Sequence, residues 1–266
     1  MPPKYTHGHH ESVLRSHRAR TAQNSAAYLL PSLRPGLQLL DVGCGPGTIT
    51  VDLAALVDPG RVTAIEPITE ALDLARDHAQ QRGQRNIDFV VADVHALQFD
   101  DNTFDVVHAH QVLQHIADPV TALAEMRRVC KPGGVVAARD SDYAAFTWYP
   151  ASAELDDWLR LYRDAARANG GEPDAGRHLL AWAHAAGFTD VTPTACASCF
   201  ATPADREHWG GMWADRILQS AIADQLLASG AADQAKLQAI SQAWRDWADH
   251  PDGWIALLHS QILCRV

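Results

Sequence analysis

The run from Leu37 to Thr50, LQLLDVGCGPGTIT, sets an acid and three glycines where an apolar strand gives way to a helix-like segment. Its chemistry is ligand binding. Glycines at Gly43, Gly45 and Gly47 let the backbone turn sharply and approach a ligand where a Cβ would collide, and the helix that follows aims free backbone N–H groups at the same place. The order is D-x-G-x-G-x-G, with Asp41 two residues before the first glycine, and not the G-x-G-x-x-G of a dinucleotide loop. An acid at the strand tip repels a pyrophosphate and suits an ammonium or a ligand N–H. A second acid, Glu66, ends the strand Arg61 to Glu66 and can accept both hydroxyls of a ribose. A third, Asp93, ends the run FVVAD, so three successive strands each finish on a carboxylate.

The elements that must position these acids are legible from periodicity. Glu70 to Arg82 has helical apolar spacing, Asp88 to Ala92 and Phe104 to His108 are strands, and Pro119 to Val129 is a helix. A K-P-G-G turn at Lys131 to Gly134 leads into a strand at Val135 to Asp140. Strands alternating with helices give a parallel sheet covered on both faces, and right-handed crossovers bring the strands' C-terminal ends to one edge. Beyond Asp140 the pattern becomes helical at Ala153 to Ala168, Asp174 to Ala186, Pro203 to Ala228 and Asp233 to Asp249. Two strand-like runs, Thr189 to Phe200 and Trp254 to Val266, interrupt and close it.

At Asp41 to Gly47 the chain resembles the class I S-adenosylmethionine (SAM) dependent methyltransferases, matching their first motif at every position. HAHQVLQHIADP after the fourth strand and EMRRVCKPGG before the fifth are similar to later motifs of the ubiquinone/menaquinone biosynthesis-like (methyltransferase type 11) group. The resemblance is strong from Arg34 to Asp140 and topological beyond. It implies an α/β fold with a Rossmann-like, doubly wound seven-stranded sheet, mostly parallel, with a C-terminal antiparallel hairpin and helical lid insertions. A single domain, 1–266, would comprise a cofactor-covering segment 1–33, a SAM-binding core 34–140, insertions 141–188 and 201–253, and a terminal strand pair 189–200 and 254–266.

The same resemblance implies the cofactor SAM, with S-adenosylhomocysteine (SAH) as its product. The residues to hold it are Asp41, Gly43, Cys44, Gly45, Gly47, Glu66, Pro67, Asp93, Val94, His110 and Gln111, with Arg20 as a partner for the methionine carboxylate. A sulfonium gives up its methyl readily, so the chain must mainly align an acceptor and exclude water. A hydroxyl or an activated carbon would also profit from a base titrating near neutrality. His110, His115 and His17 are the candidates, with Asp140, Asp142 and Tyr143 as alternatives.

All eight tryptophans lie after residue 147. Most suit helix packing; Trp148, Trp209 and Trp213, with Asp142 and Tyr143, are the expected contacts to a small, largely apolar acceptor. A homodimer through these insertions is an arrangement the sequence allows. A net charge of −10 disfavours nucleic acid as a partner. No apolar stretch reaches the ~20 residues of a membrane span, and the polar N-terminus lacks a signal-peptide core, so the expected location is cytoplasmic. Five cysteines, an odd number, suit reduced thiols.

His7, His9 and His10 raise the question of a metal, but no Cys or acid stands at ligand spacing. Cys196 and Cys199, three apart in a strand, face opposite sides, so no metal is expected. An NAD-dependent oxidoreductase would share Glu66 but lacks its glycine pattern here. A SAM-binding protein without methyl transfer, and a methyltransferase of peptide or protein carboxylates, remain open to the same motifs.

Overall fold

The computed structural model describes residues 20–266, so His7, His9, His10 and the candidate base His17 lie outside the described residues. One sheet organises the chain. Strands β1 (Gln38–Val42), β2 (Arg61–Glu66), β3 (Ile87–Val91), β4 (Phe104–His110) and β5 (Cys130–Ser141) run parallel in the order 3-2-1-4-5. Beyond β5 lies β8 (Trp254–Arg265), antiparallel to it and to β7 (Asp190–Phe200) on its far side. The expected terminal strand pair is therefore present.

The sheet has eight strands and not seven. The additional one, β6 (Thr147–Tyr149), pairs with Trp254 to Ala256 at the start of β8, on the same side as β5. At three residues it is too short to show alternation in sequence. The K-P-G-G turn also differs, because β5 begins at Cys130 opposite Phe104 and shifts register before Val135 meets Val106. Lys131 to Gly134 is thus a bulge inside the strand, with Gly133 at φ +78°.

Strand alternation sorts the residues onto two faces. Leu39, Val106, Val135 and Ala137 pack under the helix Thr48–Val57 and the segment holding Ala22, Ala26 and Leu29. Leu40, Val107, Val136 and Ala138 pack against the helices Pro119–Val129 and Leu179–Ala185. A third core lies among the later helices, where Leu155, Trp158, Leu161, Tyr162 and Ala165 of Ala153–Ala168 recur at helical spacing and are buried. That helix starts on Ser152, whose hydroxyl accepts the Leu155 N–H. The expected helix over Pro203 to Ala228 is two helices, Pro203–Gln219 and Ala221–Ser229. It breaks at Ser220, whose hydroxyl bonds the Arg216 carbonyl.

Candidate functional site

Parallel register brings the ends of β1 to β4 together: Asp41 lies beside His108, Glu66 beside Val91, and His110 beside Arg139 of β5. The glycine loop bridges β1 to its helix. Gly43 and Gly47 take φ of +66° and +77°, and a Cβ on them would come within 2.5 Å of Val112 Cγ2 and 2.9 Å of Ala75 Cβ. Only glycine fits both the backbone conformation and the space. Gly45 also takes a positive φ, and its N–H donates to Glu66 Oε2 at 3.2 Å, tying the loop to the second acid.

The three acids have different surroundings. Asp41 is 3% exposed, and its two oxygens accept from Thr50 Oγ1 at 2.6 Å and pair with His108 Nδ1 at 2.9 Å. It therefore clamps the first turn of the helix to the strand, a use that the expected ammonium contact did not include. Glu66 is half-buried, and burial raises its carboxyl above the usual range. Asp93 is exposed, and the His95 N–H, followed by the His95 ring, holds its carboxyl low. Val94 beside it is buried, Pro67 is exposed, and Cys44 is half-buried with its thiol pushed up by burial. Arg128 fixes the loop after β3 by bonding Glu125, Asp101 and the carbonyls of Leu97 and Phe99.

At the end of β4 the chain turns at Gln111, which takes φ +54° although it carries a side chain. Residues are held in such backbone strain where the surroundings over-determine them. Here the Gln111 N–H donates to Arg139 O at 2.7 Å. Its side chain receives a hydrogen bond from Arg20 and reaches Ser141 Oγ and His259 Nε2, each at 3.1 Å. Arg20, Gln111, Ser141 and His259 thus form one polar chain across β4, β5 and β8.

Two of the candidate bases, His110 and His115, are shifted away from neutrality. Burial and then the positive charge of Arg20 take His115 down to about 3, and the same causes hold His110 well below its ordinary value. Both rings are neutral at physiological pH and are weak bases. His115 closes a short 3₁₀ turn, Leu113–His115, where its Nε2 meets Gln114 Nε2 at 3.0 Å. The group brought near neutrality is Asp140, pushed up to about 7 by burial, against the opposing N–H groups of Gln114 and Leu113.

Each of the expected acceptor contacts has neighbours or partners within the protein. Asp142 is gripped by Arg177 through two 2.7 Å bonds, and Tyr143 lies between Phe146 and Tyr162 at centroid distances of 4.4 and 4.3 Å. Trp148 meets Trp158 edge-on, Trp209 stacks on Phe200 at 4.9 Å, and Trp213 is 1% exposed in the helical core. Sequence reasoning missed Ser141 and His259, because strand pairing over more than a hundred residues leaves no local motif, and Gln114, whose contacts to Asp140 and Ser141 join a turn to the next strand. One signal was available: His259, Ser260 and Gln261 make a polar run inside the otherwise apolar strand LLHSQIL.

Among the described residues no group of three His, Cys, Asp or Glu is arranged to hold a metal, and no helix is long and apolar enough to cross a membrane. Comparison with known proteins fits this geometry. Residues 40–138 match the model of a methyltransferase domain. A Schizosaccharomyces pombe protein named "Uncharacterized methyltransferase" is 34% identical over 97% of this chain and 95% of its own length. "Probable methyltransferase ltbC" of Aspergillus luteorubrus is 31% identical over 97% and 96%. Among solved structures, phosphoethanolamine N-methyltransferase 2 of Haemonchus contortus, in complex with phosphomonomethylethanolamine and SAH, superposes with a TM-score of 0.56. It is 19% identical, over 88% of this chain and 49% of that one, a likeness of fold alone. The chain belongs to the SAM-dependent methyltransferase family.

Proposed function

We propose that the protein transfers a methyl group from SAM to a small organic acceptor held where β4, β5 and β8 meet. The observation that carries this reading is the enclosure of the polar strand-end residues. His110, Gln114, Asp140, Ser141 and His259 are all less than a tenth exposed, so an acceptor reaching them is enclosed by protein. A peptide chain would need an open groove instead.

The residues fit the cofactor. The glycine loop is a cradle that a Cβ would fill, Glu66 presents a carboxylate at the position suited to ribose hydroxyls, and Asp93 with Val94 presents an acid beside an apolar wall. Arg20 with Gln111 offers donors for a carboxylate. When bound, SAM supplies an electrophilic methyl on a sulfonium. The protein aligns the acceptor atom, excludes water through burial, and keeps His110 and His115 uncharged, so that they do not repel a positively charged sulfur. With these rings such weak bases, an acceptor atom that is nucleophilic as it binds needs nothing from them.

The test is transfer of a labelled methyl group from SAM in a host extract, separating the organic-soluble fraction from the macromolecular pellet. Label in the organic fraction is expected. Label confined to the pellet would replace this reading with peptide or protein methylation, and SAM binding without transfer would reduce the protein to a binding module.

A further inference from the structure

One charge near the proposed site has no counterpart. Arg139 is 3% exposed, points from β5 to the sheet face that also carries His108 and His110, and lies opposite Gln261 of β8. Its guanidinium donates to Cys196 Sγ at 3.5 Å, its Nε has no partner, and no carboxylate of the described residues is within ion-pair distance. Three other arginines differ. Arg163 and Arg177 each grip a buried carboxylate, and Arg206, also buried, is bonded to two carbonyls.

The groups around Arg139 lack partners as well. Neither ring nitrogen of the adjacent His110 has a hydrogen-bond partner, nor has His259 Nδ1 or the hydroxyl of Tyr28. All four atoms are buried. The carboxylates that could have answered the charge are otherwise placed. Asp41, on the same face, is engaged by Thr50 and His108, and Asp140 points to the opposite face and holds the Gln114 N–H. Burying a cation and several hydrogen-bonding groups without partners is costly, so such a cluster is retained where a ligand completes it. The completing ligand must bring negative charge and acceptor atoms. A guanidinium flanked by neutral imidazoles suits an anionic oxygen, which a planar fork can hold by two bonds.

We infer that the acceptor of this methyltransferase is an organic anion whose negatively charged oxygen is received by Arg139 between His110 and His259. This deepens the proposed function and rests on it for the word acceptor; the anion site itself stands on the residues. An acceptor that binds already ionised also needs no proton removed by His110 or His115, which are weak bases.

The experiment measures binding of benzoate, 4-nitrophenolate and neutral benzamide by isothermal titration at pH 8, with and without saturating SAH, to the wild type, Arg139→Met and Arg139→Lys. At least one anion should bind the wild type tenfold or more tightly than benzamide. Preference for benzoate alone would assign a carboxylate, and preference for 4-nitrophenolate alone a phenolate. Arg139→Met should abolish the preference while SAH affinity stays within threefold. Should Arg139→Met fail to fold, Arg139→Lys, which keeps the charge but not the fork, should weaken the anion at least threefold. Equal binding of anions and benzamide, no anion binding, a preference that survives Arg139→Met, or one undiminished in Arg139→Lys would overturn the inference. Failure of the wild type to bind SAH, with the anion preference intact, would instead strike at the methyl-transfer reading and leave the anion site standing.

Discussion

The half of the molecule built from β1 to β4 and the helical layer that follows β5 use buried side chains in opposite ways. In the first, polar groups are drawn to the strand ends: Glu66 and Asp93 stand at the edge, while Asp41, His108 and His110 are buried just behind it. In the second, the large aromatic residues satisfy one another. Trp158 meets Trp213 and Trp244 edge-to-face at 4.6 and 4.9 Å, and all three are inaccessible or nearly so. The difference teaches that a concentration of aromatic residues is here a second hydrophobic core, while the reactive face is marked by polar residues inside otherwise apolar strands.

The comparison can be broken most severely at the glycine loop. Gly47→Val forces a branched side chain onto φ +77° and into Ala75, and should abolish SAH binding in a titration while the helical layer remains folded by circular dichroism. Next is the aromatic core. Trp244→Ala should cost about 3–5 kcal/mol in denaturant unfolding, the usual result of emptying a fully buried aromatic site, whereas Trp209→Ala, only partly buried, should cost clearly less. If Trp244→Ala instead left stability unchanged and removed ligand binding, the two regions would have been assigned the wrong way round.

The buried imidazoles give the sheet and the turn after β4 a pH dependence of their own. His115 and His259 both fall to about 3, below the ordinary value of 6.5, so the unfolded chain binds protons that the folded one does not. Stability from these groups is complete above pH 6.5 and is lost as pH falls from there toward 3. Asp140, raised to about 7, runs the other way: its contribution is complete below about pH 4 and is lost as pH rises through 7. The two imidazoles together outweigh the single carboxyl, so these three groups make the protein less stable from pH 6.5 to 4. Stability measured by chemical denaturation should lose part of that slope in His259→Gln, and Asp140→Asn should steepen it. The smallest effect expected is that of Glu66→Gln, which should weaken SAH about tenfold, on the order of one charge-assisted hydrogen bond, with little change in Tm.

The sequence disclosed the sheet because β1, β2 and β4 are short apolar runs that precede the helices Thr48–Val57, Thr69–Gln81 and Pro119–Val129, and β2 runs from Arg61 to Glu66 as expected. It disclosed Asp41, Glu66 and Asp93 because strand ends and loop glycines are local features. What it hid depends on distant pairing and on burial. β6 exists only because Trp254 to Ala256 offer it an edge, and His259 reaches Gln111 only because β8 folds back beside β5. The low titration of His115 arises from a buried position near Arg20, ninety-five residues away in the chain. Trp213 was an expected acceptor contact because indoles serve both pockets and cores; only packing against Trp158 and Trp244 distinguishes the two.

The measurement that tests this division most directly is an NMR titration of the isotopically labelled protein with SAH. The account predicts shifts of the backbone resonances of Gly43, Gly45, Gly47, Glu66, Val94 and Gln111, while the indole N–H signals of Trp158, Trp213 and Trp244 stay in place. Movement of those indole signals, with the glycine loop unaffected, would contradict it.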